Sequence, residues 1–311
     1  MNDLIVLVGP TASGKTALGA ALAEKIGGEV VSADACAVYR GLDIGTAKPD
    51  RALRVRVPHH LIDIADPSSR YSAGMFVRDA DEAIEAIRNR SRVPVMVGGT
   101  HFYVRALLFG LFAEPSKDES LRAELERAWE RDPGSVRARL EELDRDAAAR
   151  ILPRDRQRIL RALEVCLLSG RPMTELWKEH ARRGARYTFV MLGLSPPRAV
   201  LHATIALRVE RMFAAGLLHE VERLLAGGLL PSVHALKAIG YRESCQVLAG
   251  TLTVPEAVER AKVATRQLAK RQMTWLRAEG EVHWLAGQLD EALAEAIARV
   301  EGRSGTGTGA V

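Results

Sequence analysis

The sequence predicts an α/β protein in which a parallel sheet is flanked by helices and an all-helical domain is inserted. Three observations lead to this fold class. Short apolar runs end in polar or glycine-rich turns, as buried parallel strands do. Helical patterns separate these runs, which favours a doubly wound sheet. Between residues 114 and 186 the strand pattern stops, and charged, arginine-rich helical sequence replaces it.

The elements can be assigned in chain order. The predicted strands are Leu4–Val8, Glu29–Ala33, His60–Ile64, Val93–Val97, Tyr187–Leu194 and Val282–Leu285. The predicted helices around them are Lys15–Ile26, Ala73–Arg90, Val200–Ala226 and Val254–Ala278. The domains that follow are the first part of the core at 1–113, the helical insertion at 114–186, the completed core with C-terminal helices at 187–301, and a disordered tail at 302–311.

Composition and charge narrow the class of protein. The 311 residues carry 44 Lys and Arg against 39 Asp and Glu, and a net charge of +5 permits a polyanionic partner without requiring one. Cys36, Cys166 and Cys245 are far apart, so we expect neither a disulfide framework nor a zinc knuckle. His59 and His60 have no Cys or Glu at ligand spacing and are expected to be structural. The sequence shows no signal peptide and no apolar run of membrane-spanning length, so we expect a cytoplasmic protein without a membrane partner.

A phosphate-binding loop follows the first predicted strand. The stretch GPTASGKT matches G-x-x-x-x-G-K-[ST] and has the strand before it and the helix after it that the motif requires. Backbone N–H groups and the helix N-terminus of such a loop bind phosphate, and its lysine adds a charge. The candidate phosphate-binding residues are Gly9, Pro10, Thr11, Ala12, Ser13, Gly14, Lys15 and Thr16, with the Thr16 hydroxyl as a Mg²⁺ ligand. The predicted fold is therefore P-loop kinase-like, and the loop alone favours bound ATP.

Two carboxylates are candidates for the acid that acts together with this phosphate loop. Asp63 lies in the apolar stretch LIDI, and Asp34 directly follows the strand that ends at Ala33. Ligands of open α/β sheets bind beyond the carboxyl ends of strands, so Asp34 is the better placed, although a turn or N-cap role would also explain it. Gly99 and Thr100 follow the fourth strand at the same rim, where they fit either a ligand contact or a tight turn.

Seven stretches resemble one enzyme family in order. They are GPTASGKT, SADACAVYRGLDIGTAKP, VPHHLIDIADPSSRYSAGMF, VGGTHFYVRALLFG, RQRILRALEV, KAIGYRE and TRQLAKRQMTWLR. From residue 4 to 285 the chain is similar to the tRNA dimethylallyltransferases, also called tRNA isopentenyltransferases, of the bacterial type without a zinc finger. The resemblance implies transfer of a dimethylallyl group from dimethylallyl diphosphate to N6 of the adenosine on the 3′ side of the tRNA anticodon. It also implies Mg²⁺ as cofactor, and we expect a monomer.

The resemblance implies a role for each site residue. Asp34 corresponds to the acid that accepts the N6 proton, and Thr100 to a threonine near the diphosphate and the reacting adenine. An exocyclic amine is a poor nucleophile, so a positioned base has a clear task. The residues that match tRNA-contacting positions of the family are Asp34, Ala35, Cys36, Ala37, Thr100, Arg122, Gln157, Arg158, Ile159, Leu160, Arg161, Lys237, Ala238, Ile239, Gly240, Tyr241, Arg242, Lys270, Arg271, Gln272, Met273, Thr274, Trp275, Leu276 and Arg277.

Cations and aromatic rings in these segments suit the phosphates and splayed bases of an RNA loop. Each basic cluster alone would also fit a solvated helix face, and Trp275 would fit a core position. The chain departs from the family pattern at Ala35, Ala37, His101, Phe102, Leu152 and Arg154. Lys15, Thr16, Asp34 and Thr100 all remain, so we predict an active enzyme.

Three other functions stay open on the sequence. An adenylate isopentenyltransferase, which prenylates a free nucleotide, would need neither the arginine-rich insertion nor the basic C-terminal segment. A small-molecule kinase would explain residues 9 to 16 and little else. A tRNA-binding protein without activity is suggested by Ala35 and Ala37, which lack polar side chains beside the expected base site.

Overall fold

A computed structural model of the protein describes residues 3–112 and 118–302. These residues form six strands: β1 (Leu4–Val8), β2 (Gly28–Ala33), β3 (His59–His60), β4 (Val93–Gly98), β5 (Phe189–Leu194) and β6 (Val282–Leu285). All strand pairs are parallel, in the order β3-β2-β4-β1-β5-β6. The predicted α/β class and parallel sheet are confirmed.

The helices alternate with the strands and also form a separate group in the middle of the chain. They are α1 (Lys15–Ile26), α2 (Arg51–Arg56), α3 (Ala73–Asn89), α4 (His101–Phe109), α5 (Glu119–Arg131), α6 (Pro133–Leu143), α7 (Arg145–Arg150), α8 (Arg156–Ser169), α9 (Met173–Ala181), α10 (Arg198–Ala214), α11 (Leu217–Ala226), α12 (Tyr241–Leu248), α13 (Val254–Ala278) and α14 (Leu289–Val300). No helix within the described ranges is long and apolar enough to cross a membrane.

The chain divides into two compact units. The α/β unit comprises 1–108 and 187–311, and the helical unit comprises 109–186. The predicted domain boundary near residue 114, and the predicted tail beyond residue 302, lie outside the described residues.

The core of the α/β unit lies on both faces of the sheet. Every residue of β1 is buried, as expected for a central parallel strand with helices on both sides. Leu18 and Leu22 of α1 pack with Leu7 of β1 and Val95 of β4. This packing fixes the beginning of α1 at the carboxyl end of β1.

The helical unit has its own core. Leu125 of α5, Leu140 of α6 and Leu163 of α8 are at most 1% exposed and belong to one cluster. The buried Asp144 caps α7 by accepting from the Ala147 N–H and also accepts from the Thr174 hydroxyl. The apolar contacts and this cap stabilise the unit from within.

Two predicted elements were wrong. The strand expected at His60–Ile64 stops at His60 because Leu61 and Asp63 have φ of 63° and 59°, which extended backbone does not allow. The helix expected at Val200–Ala226 is divided into α10 and α11 because Gly216 has φ of 96°. Both errors arise where isolated residues adopt a left-handed conformation, two of them after β3 and one between α10 and α11.

Candidate active site

The phosphate-binding loop joins the end of β1 to the beginning of α1. Gly14 has φ of 88°, and the first helical N–H groups after it have no intrahelical partner. A Cβ on Gly9 would lie 2.7 Å from Oγ of Ser13, so the close turn of the loop favours glycine there. The Ser13 Oγ is buried without a hydrogen-bond partner within the described residues. The loop therefore offers donors to an anion.

Lys15 supplies a cation whose protonation depends on its surroundings. Its Nζ donates to the carbonyl of Pro10 at 3.2 Å. Loss of hydration lowers the pKa of Lys15 to about 8, Asp34 acts in the opposite direction, and Arg208 adds to the lowering. The unfolded chain therefore binds this proton more tightly than the folded protein does. Between about pH 8 and 10.5 the folded protein has released the proton while the unfolded chain still holds it, so the free energy of unfolding of the empty protein rises with pH.

Asp34 and Thr100 meet at the ends of two paired strands. Ala33 of β2 pairs with Gly98 of β4, where an added Cβ would lie 2.2 Å from the Ala33 carbonyl oxygen. Thr100 Oγ1 accepts from the N–H of Ala35 at 3.0 Å. This close approach, which needs glycine at position 98, holds the two polar side chains at one rim.

Only one oxygen of the Asp34 carboxylate accepts hydrogen bonds from the described residues. Its Oδ1 accepts from the N–H groups of Cys36 and Ala37, at 2.8 and 3.2 Å. Within residues 3–112 and 118–302, Oδ2 has no hydrogen-bond partner and can accept a proton from a ligand. Asp63, the other acid considered, is paired with Lys48 and Arg54 at 2.6 and 2.8 Å.

A cavity of about 600 Å³ in the α/β unit joins these groups. Its polar lining includes Lys15, Thr16, Asp34, Thr100, Arg208 and Gln272. Its apolar lining includes Val97, Val209, Met212, Phe213, Leu217 and Leu268. Such a combination suits a ligand with an anionic end and an apolar end.

Several cavity residues were not identified as site residues from the sequence, and three of them carry ionisable side chains. Arg208 of α10 donates to the carbonyl of Thr46 at 3.3 Å, and burial lowers its pKa although Asp34 opposes the change. His59 bonds through Nδ1 to the Val57 carbonyl, and its buried Nε2 has no partner among the described residues. Lys48 also lines the cavity while pairing with Asp63. An arginine in an amphipathic helix gives no local signal of such a position.

Gln272 occupies a different position from the one that the sequence suggested. Its Oε1 accepts from the Thr11 N–H, and its Nε2 donates to the carbonyl of Gly99, both at 2.8 Å. The amide proposed to contact tRNA thus bridges the phosphate loop and the end of β4.

The indole ring of Trp275 lines the cavity and is 49% exposed, so the alternative of a core position is wrong. It stacks on His101, with centroids 5.3 Å apart and an interplanar angle of 22°. His101 Nε2 lies 2.8 Å from Glu279 Oε1, and Arg105 pairs with the same carboxylate. Burial lowers the pKa of His101 although Glu279 acts in the opposite direction. The histidine that departs from the family pattern thus fixes the plane of the indole.

Some residues that were predicted to contact tRNA have buried side chains. Tyr241 is fully buried, donates its hydroxyl to Glu220 at 2.6 Å and accepts from the Gly45 N–H. Its ring cannot stack on a base, so the expected contact is corrected to a structural role. Cys36 also remains a thiol, because burial raises its pKa to about 12.

The rest of the α12 and α13 segments is mixed in exposure. Lys237, Ala238, Ile239, Gly240 and Arg271 line the cavity. Lys270, Thr274 and Arg277 are exposed, Met273 is half-buried, and Leu276 is buried in the core. Arg242 pairs with Glu243. The exposed cations lie along one end of α13.

The helical unit holds the remaining predicted positions. Gln157 and Arg158 are exposed, and Arg158 lies 3.5 Å from Asp155. Arg122 and Arg161 both pair with the buried Glu164. Ile159 and Leu160 are fully buried in the core, so the expectation that these two side chains contact tRNA is corrected.

The donor set is compatible with Mg²⁺. Within the described ranges, no group of three His, Cys, Asp or Glu side chains could hold a metal ion. Mg²⁺ needs no such cage, because it keeps water and takes most of its other ligands from phosphate oxygens. The exposed Thr16 hydroxyl lines the cavity where a phosphate would supply those oxygens.

Comparison with known proteins gives one family. The protein-family model described as IPP transferase matches residues 37–279, and the family model described as isopentenyl transferase matches residues 2–55. The tRNA dimethylallyltransferase of Anaeromyxobacter sp. strain Fw109-5 is 49% identical over 291 residues, which cover 93% of this chain and 96% of the relative. The tRNA isopentenylpyrophosphate transferase of Bacillus halodurans is 37% identical with a TM-score of 0.73, covering 97% of each chain. A eukaryotic dimethylallyltransferase acting on tRNA is 27% identical with a TM-score of 0.84, covering 98% of this chain and 81% of that one.

Proposed function

Because this chain belongs to the IPP transferase family, whose relatives are tRNA dimethylallyltransferases, we infer that it transfers a dimethylallyl group to tRNA. The donor is dimethylallyl diphosphate, and the acceptor is N6 of the adenosine on the 3′ side of the anticodon. The observation that supports this reaction best is the joint lining of one cavity by the phosphate loop, Asp34, Thr100 and apolar side chains of α10.

The phosphate loop holds the diphosphate leaving group. When the bond from the allylic carbon to the diphosphate oxygen breaks, the electron pair stays on that oxygen. The loop N–H groups, Lys15 and Arg208 stabilise this charge as it develops. Thr16 would hold Mg²⁺, which would supply further positive charge to the diphosphate. Lys15 therefore stabilises a leaving group and assists no phosphoryl transfer.

Asp34 and Thr100 act on the acceptor. The adenine leaves its stack so that N6 can reach the allylic carbon. N6 forms the new bond to carbon, and its proton passes to Oδ2 of Asp34, which has no hydrogen-bond partner among the described residues. The Thr100 hydroxyl, held by the Ala35 N–H, can donate to a group at the same rim. Atoms and charge balance without any other reactant.

The tRNA contacts come from exposed cations and one aromatic ring. Lys270, Arg271 and Arg277 of α13 suit phosphates, as does Arg158 in the helical unit. The exposed Trp275 ring suits stacking on a splayed base. The monomer expected from the sequence stays a prediction, which sedimentation would test.

The direct test is transfer of a radiolabelled prenyl group. Purified protein is incubated with dimethylallyl diphosphate, Mg²⁺ and unmodified tRNA, with AMP in a parallel reaction. We expect labelled tRNA and little labelled AMP. A folded protein that labels neither substrate would refute prenyl transfer, and a preference for AMP would favour an adenylate isopentenyltransferase.

The affinity for Mg²⁺-pyrophosphate should fall at alkaline pH. Because the pKa of Lys15 in the empty site is about 8, binding above this pH requires uptake of a proton. We expect the dissociation constant, measured by calorimetry, to rise about fifteenfold over the roughly 1.5 pH units above pH 8. Pyrophosphate itself also titrates in this range, but it does so equally with the wild type and with Lys15→Met. The difference between their two profiles of dissociation constant against pH therefore reports the titration of Lys15. Identical profiles would contradict the assignment.

Arg158→Ala should weaken tRNA binding and reduce its dependence on salt. One lost phosphate contact flattens the slope of log affinity against log salt by roughly one unit. Filter binding at several salt concentrations measures this slope. Arg145→Ala, at an exposed position in the same unit, is the matched control and should keep the wild-type slope. An unaltered slope for Arg158→Ala would exclude a phosphate contact there.

A further inference from the structure

Gln272 connects two parts of the site through one side-chain amide. It accepts from the Thr11 N–H and donates to the Gly99 carbonyl, both at 2.8 Å. An amide has a donor and an acceptor at opposite sides of its carbon, so one group satisfies both backbone partners at once. We call Gln272 with Thr11 and Gly99 the amide clamp.

The amide clamp lies directly beside the phosphate site. A Cβ on Gly99 would lie 2.5 Å from Nε2 of Gln272 and 3.4 Å from both the Gly9 carbonyl oxygen and Nζ of Lys15. The loop backbone, the lysine and the glutamine therefore converge on one small volume. A displacement of Gln272 would have to move the loop or break a hydrogen bond.

The same helix carries the cations proposed to bind tRNA. Lys270 and Arg271 are exposed and directly precede Gln272 in α13, a continuous helix of 25 residues. Arg277 follows five residues later, about 7.5 Å along the axis. Ala269 of α13 also packs in one cluster with Ala12 of the phosphate loop. The end of α13 that is proposed to bind tRNA is thus attached to the loop by polar and apolar contacts.

We propose that Gln272 is a positioning residue that couples tRNA docking on α13 to diphosphate binding in the loop. The coupling rests on the proposed function, since it requires both ligands. tRNA phosphates that hold Lys270 and Arg271 keep α13 where the amide clamp orders Thr11 and Gly99. The diphosphate then binds a loop that is already ordered, at a lower entropic cost. By linkage, the diphosphate tightens tRNA binding by the same factor.

The test measures this factor without catalysis. Mg²⁺ and inorganic pyrophosphate are titrated into the full chain by calorimetry, alone and with a saturating unmodified anticodon stem-loop. For the wild type we expect the stem-loop to tighten pyrophosphate binding about fivefold or more. For Gln272→Met, which keeps length and helix propensity but removes both hydrogen bonds, we expect a ratio close to one. Gln267→Met, the same change at an exposed position of α13, should keep the wild-type ratio.

The outcomes separate the clamp from the proposed function. If folded Gln272→Met keeps the wild-type ratio of pyrophosphate affinities with and without the stem-loop, the coupling is refuted but the proposed function is not. The same holds if the wild type binds the two ligands independently. A wild type that binds pyrophosphate but no stem-loop would overturn the proposed function as well. If Gln272→Met does not fold, Gln272→Asn serves instead, because its shorter amide cannot reach both partners and should also abolish the coupling.

Discussion

Asp34→Asn is expected to reduce prenyl transfer to tRNA by about 10²- to 10⁴-fold, the usual contribution of a positioned general base. Asparagine keeps an oxygen for the N–H groups of Cys36 and Ala37 but cannot take the N6 proton. The turn after β2 should therefore persist while the chemistry fails. Single-turnover transfer at saturating tRNA measures the loss, and filter binding should give a tRNA affinity close to that of the wild type.

Asp290→Asn is the matched control for this variant. Asp290 is an exposed carboxylate in the first turn of α14, away from the cavity lining, so its replacement should leave transfer unchanged. Unchanged turnover in Asp34→Asn would refute its role as the base. Loss of tRNA binding in step with turnover would show instead that Asp34 acts in docking.

Lys15→Met is expected to lower kcat/KM for dimethylallyl diphosphate by about 10²- to 10³-fold, as when one donor to a developing anion is lost. Lys15 is the cation of the phosphate loop itself, and methionine fills a similar volume without charge. Steady-state transfer with varied prenyl donor measures the change. The affinity for pyrophosphate should fall too, since the product carries the charge that Lys15 stabilises.

Lys25→Met provides the control on the same helix. Lys25 is exposed in the last turn of α1, so the same substitution there changes the net charge equally without touching the loop. It should keep the wild-type kcat/KM. A Lys15→Met enzyme with wild-type kinetics for the prenyl donor would exclude the loop as the diphosphate site.

Some elements could be predicted from the sequence at residue precision. β1, α1, α13 and β6 have the predicted bounds, because each is marked by an apolar period and by local end signals. The loop between β1 and α1 was equally clear from its contiguous motif. The failures at Leu61, Asp63 and Gly216 involve single left-handed residues, which a periodic pattern averages out.

The tertiary structure changed how several site residues are interpreted. Tyr241 looked like a base-stacking ring beside two cations, yet it is buried against Glu220 and Gly45. Trp275 fitted either a core or a surface position on the sequence, and in the structure it stacks on His101 and is half exposed. In each case the partner is distant in sequence, so no local pattern could distinguish the alternatives.

The α/β class, the phosphate loop and the family resemblance could all be predicted from the amino-acid sequence, because contiguous stretches of residues carry them. Which side chains share a cavity with that loop depends instead on how distant segments of the chain pack. Gln272 reaches Thr11 across 261 positions of the chain, and Arg208 reaches Thr46 across 162. The order of the strands and the packing of α10 and α13 create these contacts. Burial and hydrogen-bond geometry depend on such long-range packing, which local residue periodicity does not encode.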